Sequence, residues 1–132
     1  MKGKIRRIIA IALMVCFIAS LTAASASACT CTLHSYLFSG NQDLVNICKG
    51  LYPYSLHYGS SGDAVKLVQT GLWDVEFPPT DWKIDGYFGT NTENAVKAYQ
   101  SHKGYLAPDG KVGPCTLRAL DQDVARHEGY PY

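Results

Sequence analysis

The sequence predicts a small all-α fold, a three-helix bundle with Asp-Gly turns and a disulfide-stapled N-terminal arm. Inward-facing residues recur at helical spacing in three segments: Ala64, Val65, Val68 and Leu72; Thr92, Ala95, Val96 and Tyr99; Leu117, Leu120 and Val124. The pattern Asp-Gly-x-apolar-Gly-x-x-Thr occurs twice, at 85–92 and 109–116, each time just ahead of one of these segments. Removal of an N-terminal leader leaves an even set of cysteines, Cys29, Cys31, Cys48 and Cys115, suited to bridges in an oxidising compartment.

Residues 1–28 read as that leader, a secretory signal peptide. Lys2, Lys4, Arg6 and Arg7 form a basic start, Ile8 to Leu21 is almost wholly apolar, and Ala26-Ser27-Ala28 is a small-residue cleavage site. The apolar run is shorter than the roughly 20 residues of a membrane-spanning helix, so no membrane association is expected after cleavage. Cys29 directly follows Ala28, as in a lipoprotein, but Ala26 stands where the lipobox has Leu, and lipidation of Cys29 would leave an odd number of thiols. A free secreted chain is the favoured reading. Cleavage takes four of the twelve basic residues and none of the eleven acidic ones, so the remainder carries a net charge of −3 with His neutral. That balance, with dispersed lysines, argues against nucleic acid as partner.

The arm covers 29–55. Within it Asp43 to Cys48 fits a short helical turn or a strand, and Leu51 to Leu56 is an aromatic, extended lead-in in which Pro53 opposes helix. Cys29 and Cys31 are too close in sequence to bond easily to each other. Two connectivities remain, 29–48 with 31–115 or 29–115 with 31–48, and either ties the arm to the third helix. The module proper is expected over 56–125, with a tail at 126–132. Helix one is expected from Gly62 or Asp63 to about Leu72, helix two from about Asn91 to His102, and helix three from Pro114 to about Ala125.

Each Asp-Gly reverses the chain, since Asp bonds amides ahead of it and Gly tolerates positive φ. Phe88 and Val112 are the inward anchors of the two turns. Thr90-Asn91-Thr92-Glu93 fits a capping box, and Pro114 suits a first helical position. A weaker repeat, Val-Lys-x-apolar-Gln at 65–69 and 96–100, puts a polar Gln beside a packed face, where a backbone partner at a helix end is expected. Between helices one and two, the loop from Trp73 to Lys83 is stiffened by Pro78 and Pro79. Trp73 and Phe77 read as core, whereas Trp82 fits either a lid on the core or a stacking platform.

Taken in order, Leu56-x-x-Gly59-Ser60-x-Gly62-x-x-Val65-x-x-x-Gln69-x-x-Leu72, Ile84-Asp85-Gly86-x-Phe88-Gly89-x-x-Thr92-x-x-Ala95-Val96-x-x-Tyr99-Gln100 and Asp109-Gly110-x-Val112-Gly113-x-x-Thr116-x-x-x-Leu120 resemble the peptidoglycan-binding domain of bacterial cell-wall hydrolases. The resemblance spans Leu56 to Leu120. It implies a three-helix module that holds secreted proteins to the cell wall, usually beside a catalytic domain. Val68 stands where the family often has Leu, and the Trp73 to Trp82 loop is longer and more aromatic than the family's.

No catalytic constellation accompanies it. His34, His57, His102 and His127 lack H-E-x-x-H spacing, so no metal is expected, and no cofactor is implied. No Gly-x-Ser-x-Gly elbow occurs. The expectation is a secreted, non-catalytic, monomeric module associated with the bacterial cell wall and binding its peptidoglycan. The binding edge is expected at Trp82, Asp85, Gly86, Tyr87, Thr90 and Asn91, with the second turn anchored and structural. The rivals are a scaffold that contacts a secreted cell-wall hydrolase and a small hydrolase with an unrecognised site.

Overall fold

Three amphipathic stripes pack against one another in the computed structural model, which describes residues 31–51 and 55–130. The predicted signal peptide, Cys29, the Tyr52-Pro53-Tyr54 lead-in and the last two residues of the tail lie outside the described residues. The elements run α1 (Tyr36–Ser39), α2 (Gln42–Cys48), α3 (Asp63–Asp74), α4 (Thr90–Lys103) and α5 (Pro114–His127). The three long helices match the expected segments, each one to two residues longer at its C-terminal end. Val65, Val68 and Leu72 of α3 meet Ala95, Val96 and Tyr99 of α4 and Leu117, Leu120 and Val124 of α5, all fully buried. Tyr99 also donates its hydroxyl to Asp123 at 2.7 Å, and Asp123 pairs with Lys103 and Arg126. Burial, together with that acceptor, raises the Tyr99 hydroxyl far above the ordinary tyrosine range, so it stays a donor.

The segment ahead of α3 clips the two turns together. Leu56 and Val112 exchange both backbone bonds, at 3.1 and 2.7 Å, while Gly59 donates to Phe88 and Phe88 to Ser60, both at 2.9 Å. The anchors Phe88 and Val112 are thereby fully buried at the base of the bundle. Among the described residues these pairings remain isolated bridges and no strand forms.

The arm is more than a strap. It supplies α1 and α2, and Phe38, Leu44 and Ile47 complete the core. Phe38 fits because position 71 on α3 is glycine: a Cβ there would come within 2.5 Å of the Phe38 ring. Ser35 caps α1 by accepting from the Phe38 amide, and Asn41 caps α2 by accepting from Leu44. Cys31 and Cys48 are bonded, so this bridge closes the arm on itself. A loop of 17 residues contributes about 3 kcal/mol in the chain-entropy account. This is the pairing of Cys31 in the second of the two expected connectivities; Cys115 is also disulfide-bonded, and its expected partner, Cys29, lies outside the described residues.

Two expectations are corrected. Trp73 is exposed, not core: it follows Leu72 by one residue, about 100° around α3, and so leaves the buried stripe. Thr90 and Glu93 form no capping box, because Gly89 occupies the cap position without a side-chain bond and Thr90 is already helical. Glu93 instead pairs with Lys97 at 2.7 Å, one turn on. The loop after α3 turns at Glu76, whose φ of 65° is left-handed, and Phe77 then donates back to the Leu72 carbonyl at 2.9 Å. This sets the Phe77 ring edge-on to Tyr99, with centroids 5.3 Å apart, as a lid on the core.

Candidate functional site

The two sequence repeats are parts of one device. Gln69, fully buried on α3, accepts the Gly86 amide on its Oε1 at 2.9 Å. Its Nε2 faces Asp85 Oδ1, the Tyr87 carbonyl and Thr92 Oγ1 at 3.0, 3.1 and 3.0 Å. One amide side chain thus grips the turn at 85–87 and the first turn of α4. Gln100 on α4 repeats this on the second turn: it accepts from Gly110 and faces Asp109, the Lys111 carbonyl and Thr116 at 2.9 to 3.0 Å. The expected backbone partner is present, but it belongs to the next turn in the chain, not to a helix end.

Gly86 and Gly110 both have φ of 75°, where a side chain is strained. Space is short as well, and neighbouring side chains would have to shift. A Cβ on Gly86 would meet the Lys66 stem at 2.9 Å, and one on Gly110 the stems of Glu93 and Lys97 at 2.7 and 2.8 Å. The Lys of each Val-Lys-x-apolar-Gln lies across the glycine that its Gln grips.

The first turn opens onto a groove of about 540 Å³. Asp85, Tyr87, Thr90 and Asn91 line it together with Asp81 and Lys83, over a floor that includes Gln69 and Thr92. Tyr87 is half exposed, free of the core. Gly86 lies buried beneath the turn and does not line the groove. Trp82 does not line it either; its ring packs partly buried against the core, and its buried indole N–H has no partner among the described residues. Of the six expected residues, then, the structure gathers Asp85, Tyr87, Thr90 and Asn91 and sets Gly86 and Trp82 apart. Asp81 and Lys83 were not expected. Their place on the loop ahead of the turn was the available signal.

Asp85 is held as the carboxylate. The Tyr87 amide donates to it at 2.9 Å and Gln69 donates as well, and these bonds move its pKa below the usual 3.8. A depressed folded-state pKa contributes stability that is fully present above the unfolded value and is lost as pH falls through the folded one. The acid limb of thermal stability, followed below pH 4, should therefore be shallower in Asp85→Asn than in the parent. NMR titration of the Asp85 carboxyl should place its midpoint below 3.8. Asp74 shifts the opposite way, raised chiefly by burial.

A short helical module built on two Gln-gripped Asp-Gly turns is the class that this geometry defines. Residues 61–120 match the family described as "Putative peptidoglycan binding domain", and through this segment the chain belongs to that family. It is 45% identical over 67 residues to an uncharacterized protein in the bpoA1 3' region of Kitasatospora aureofaciens, covering 50% of this chain and 54% of that one. It is 39% identical over 80 residues to the zinc D-Ala-D-Ala carboxypeptidase of Streptomyces albus G, covering 59% and 31%. Over 59 residues it is 46% identical to the N-acetylmuramoyl-L-alanine amidase CwlM of Mycobacterium tuberculosis, covering 45% and 14%. Thus the chain spans about half the length of the first of these relatives and less than a third of the other two. Among solved structures, the SleB N-terminal domain matches at 31% identity and a TM-score of 0.49 over 53% of this chain and 92% of that one.

Proposed function

We propose that this chain is a secreted, non-catalytic module that binds bacterial peptidoglycan through the groove of the first turn. The observation that carries the reading is the half-exposed Tyr87 beside an open groove whose walls are fixed by the Gln69 grip. The Gln69 grip fixes the backbone that carries the ring, so the turn need not be ordered when the ring stacks on a sugar face, and Asn91, Thr90 and Lys83 offer partners for acetamido and hydroxyl groups. The relatives named for cleaving cell-wall bonds extend well beyond the matched segment, which supports assigning attachment, not cleavage, to that segment. Secretion rests on the leader sequence and agrees with the disulfides.

Sedimentation of the oxidised protein with insoluble peptidoglycan tests the reading. The parent should pellet with the wall, and Tyr87→Ala should bind about tenfold more weakly, the loss of one aromatic anchor worth about 1–2 kcal/mol. Release of no soluble fragments is expected. A parent protein that stays in the supernatant at every salt concentration sinks the proposal.

A further inference from the structure

The second turn also opens onto a groove, of about 720 Å³, larger than the first. The two grooves are built from equivalent positions. Asp109, Lys111, Pro114 and Cys115 line the second where Asp85, Tyr87, Thr90 and Asn91 line the first, and Gln100 and Thr116 replace Gln69 and Thr92. The expectation that this turn is purely structural is therefore incomplete. It is anchored by its bridged Cys115, and it is also open.

What differs is the chemistry of the walls. The first groove carries Asp81, Asp85 and one cation, Lys83. The second carries one carboxylate, Asp109, and two cations, Lys111 and Arg118. Asp109 is engaged within its own turn, accepting from the Lys111 amide and from Gln100. Lys97, Lys103 and Arg126 sit in ion pairs, whereas Lys111 and Arg118, like Lys83 of the first groove, form none among the described residues, so the second groove differs in having two such cations against one carboxylate. Beside these cations lie the exposed ring of Tyr105, the half-buried Leu106 and Pro114, an apolar wall next to two unpaired positive charges.

We infer that the second groove binds an anionic peptide, the carboxylate-bearing stem of the wall polymer, while the first groove takes its uncharged glycan. The inference rests on the peptidoglycan reading and adds a division of the polymer between the two repeats. A guanidinium matches a carboxylate in a two-pronged bond, and small side chains of a stem fit against Leu106 and Pro114. Two weak contacts on one polymer reinforce each other through effective concentration.

The test is a pair of NMR titrations of the oxidised, full-length folded protein. One uses a synthetic stem pentapeptide ending in D-Ala-D-Ala, and the other a tetramer of N-acetylglucosamine. The pentapeptide should shift amides at 105–118, weaken severalfold between low and moderate salt, and bind at least tenfold more weakly to Arg118→Glu, with Arg118→Lys, which keeps the charge but not the two-pronged bond, falling between Arg118→Glu and the parent. Both substitutions fall on an exposed helical position, and an unchanged melting temperature confirms the fold. The tetramer should shift 81–91 and be indifferent to Arg118. Pentapeptide shifts confined to the first groove, no pentapeptide binding, or equal affinity in Arg118→Glu overturns the inference while leaving wall sedimentation intact. Failure of the parent to sediment strikes instead at the peptidoglycan reading itself.

Discussion

Replacing Gln69 by Leu should lower stability by about 2–4 kcal/mol and abolish wall retention together. Leu is close in volume and apolar, so packing on α3 survives and the loss isolates the amide. The Gly86 amide is left buried without its acceptor, and Asp85, the Tyr87 carbonyl and Thr92 lose a shared donor. A buried donor stripped of its partner costs about 1–3 kcal/mol, and a network raises the total. Gln69→Glu is the sharper probe. Its carboxylate still accepts from Gly86, but it also sets a negative charge in place of the donor that now lies 3.0 Å from Asp85. This variant should be as damaged as Gln69→Leu at neutral pH and recover part of its stability as the pH falls through 6 to 4, because one of two adjacent carboxyls then takes a proton. Urea unfolding across that range reads the effect. A Gln69→Glu variant with the parent's pH profile would show that the grip contributes little.

The grip also marks how far the sequence could be read. Apolar period located all three long helices, and the Asp-Gly pairs located both turns, because each rests on residues within a few positions of one another. The role of Gln69 was hidden because its partners lie 16 to 23 residues ahead and belong to a different element. The two repeats were visible separately, and only the fold joins them. Thr90 was misread for a more avoidable reason. Aligning the copies sets Thr90 on Pro114, and a proline at the first helical position implies that Thr90 stands there too, one step past the cap. The arm resisted for want of period: α1 has a single turn and α2 two, too short for a stripe, and their burial depends on a glycine at position 71 that leaves room for Phe38. Trp82 fits, in sequence, either a lid on the core or a stacking platform, and it packs partly buried against the core; Gly86 groups with the site by proximity in sequence, which does not reveal that it lies beneath the turn.

Asp121→Ala should uncouple the arm from the bundle. This carboxylate, fully buried on α5, accepts the His34 amide at 2.9 Å, the Ser35 amide at 2.9 Å and the Ser35 hydroxyl at 2.7 Å. Glu128, the residue that caps the C-terminal end of α5, accepts the Tyr36 amide at 3.0 Å, so α5 and its cap receive three successive amides at the start of α1. Neither the Cys31–Cys48 bridge, both of whose ends lie in the arm, nor the bridge at Cys115, at the far end of α5 from Glu128, substitutes for these bonds. Loss of a charged acceptor strips two amides and a hydroxyl of their partner, and the buried Ser35 donors reach water only if α1 lifts and Phe38 leaves its place against Gly71. The expected cost is about 3 kcal/mol. A graded series separates the contributions. Ser35→Ala removes one donor to Asp121 and the cap of α1, for about 1–2 kcal/mol. Asp121→Asn keeps one acceptor oxygen but turns an N–H₂ toward the His34 amide and should fall between the two. Hydrogen exchange distinguishes undocking from general weakening. In Asp121→Ala, protection at 35–48 should collapse first, while amides of Val65 to Leu72 on α3 still exchange only through global unfolding. If all of these amides lose protection in step, the arm and the three long helices form one cooperative unit, and α1 is as integral to the fold as α5.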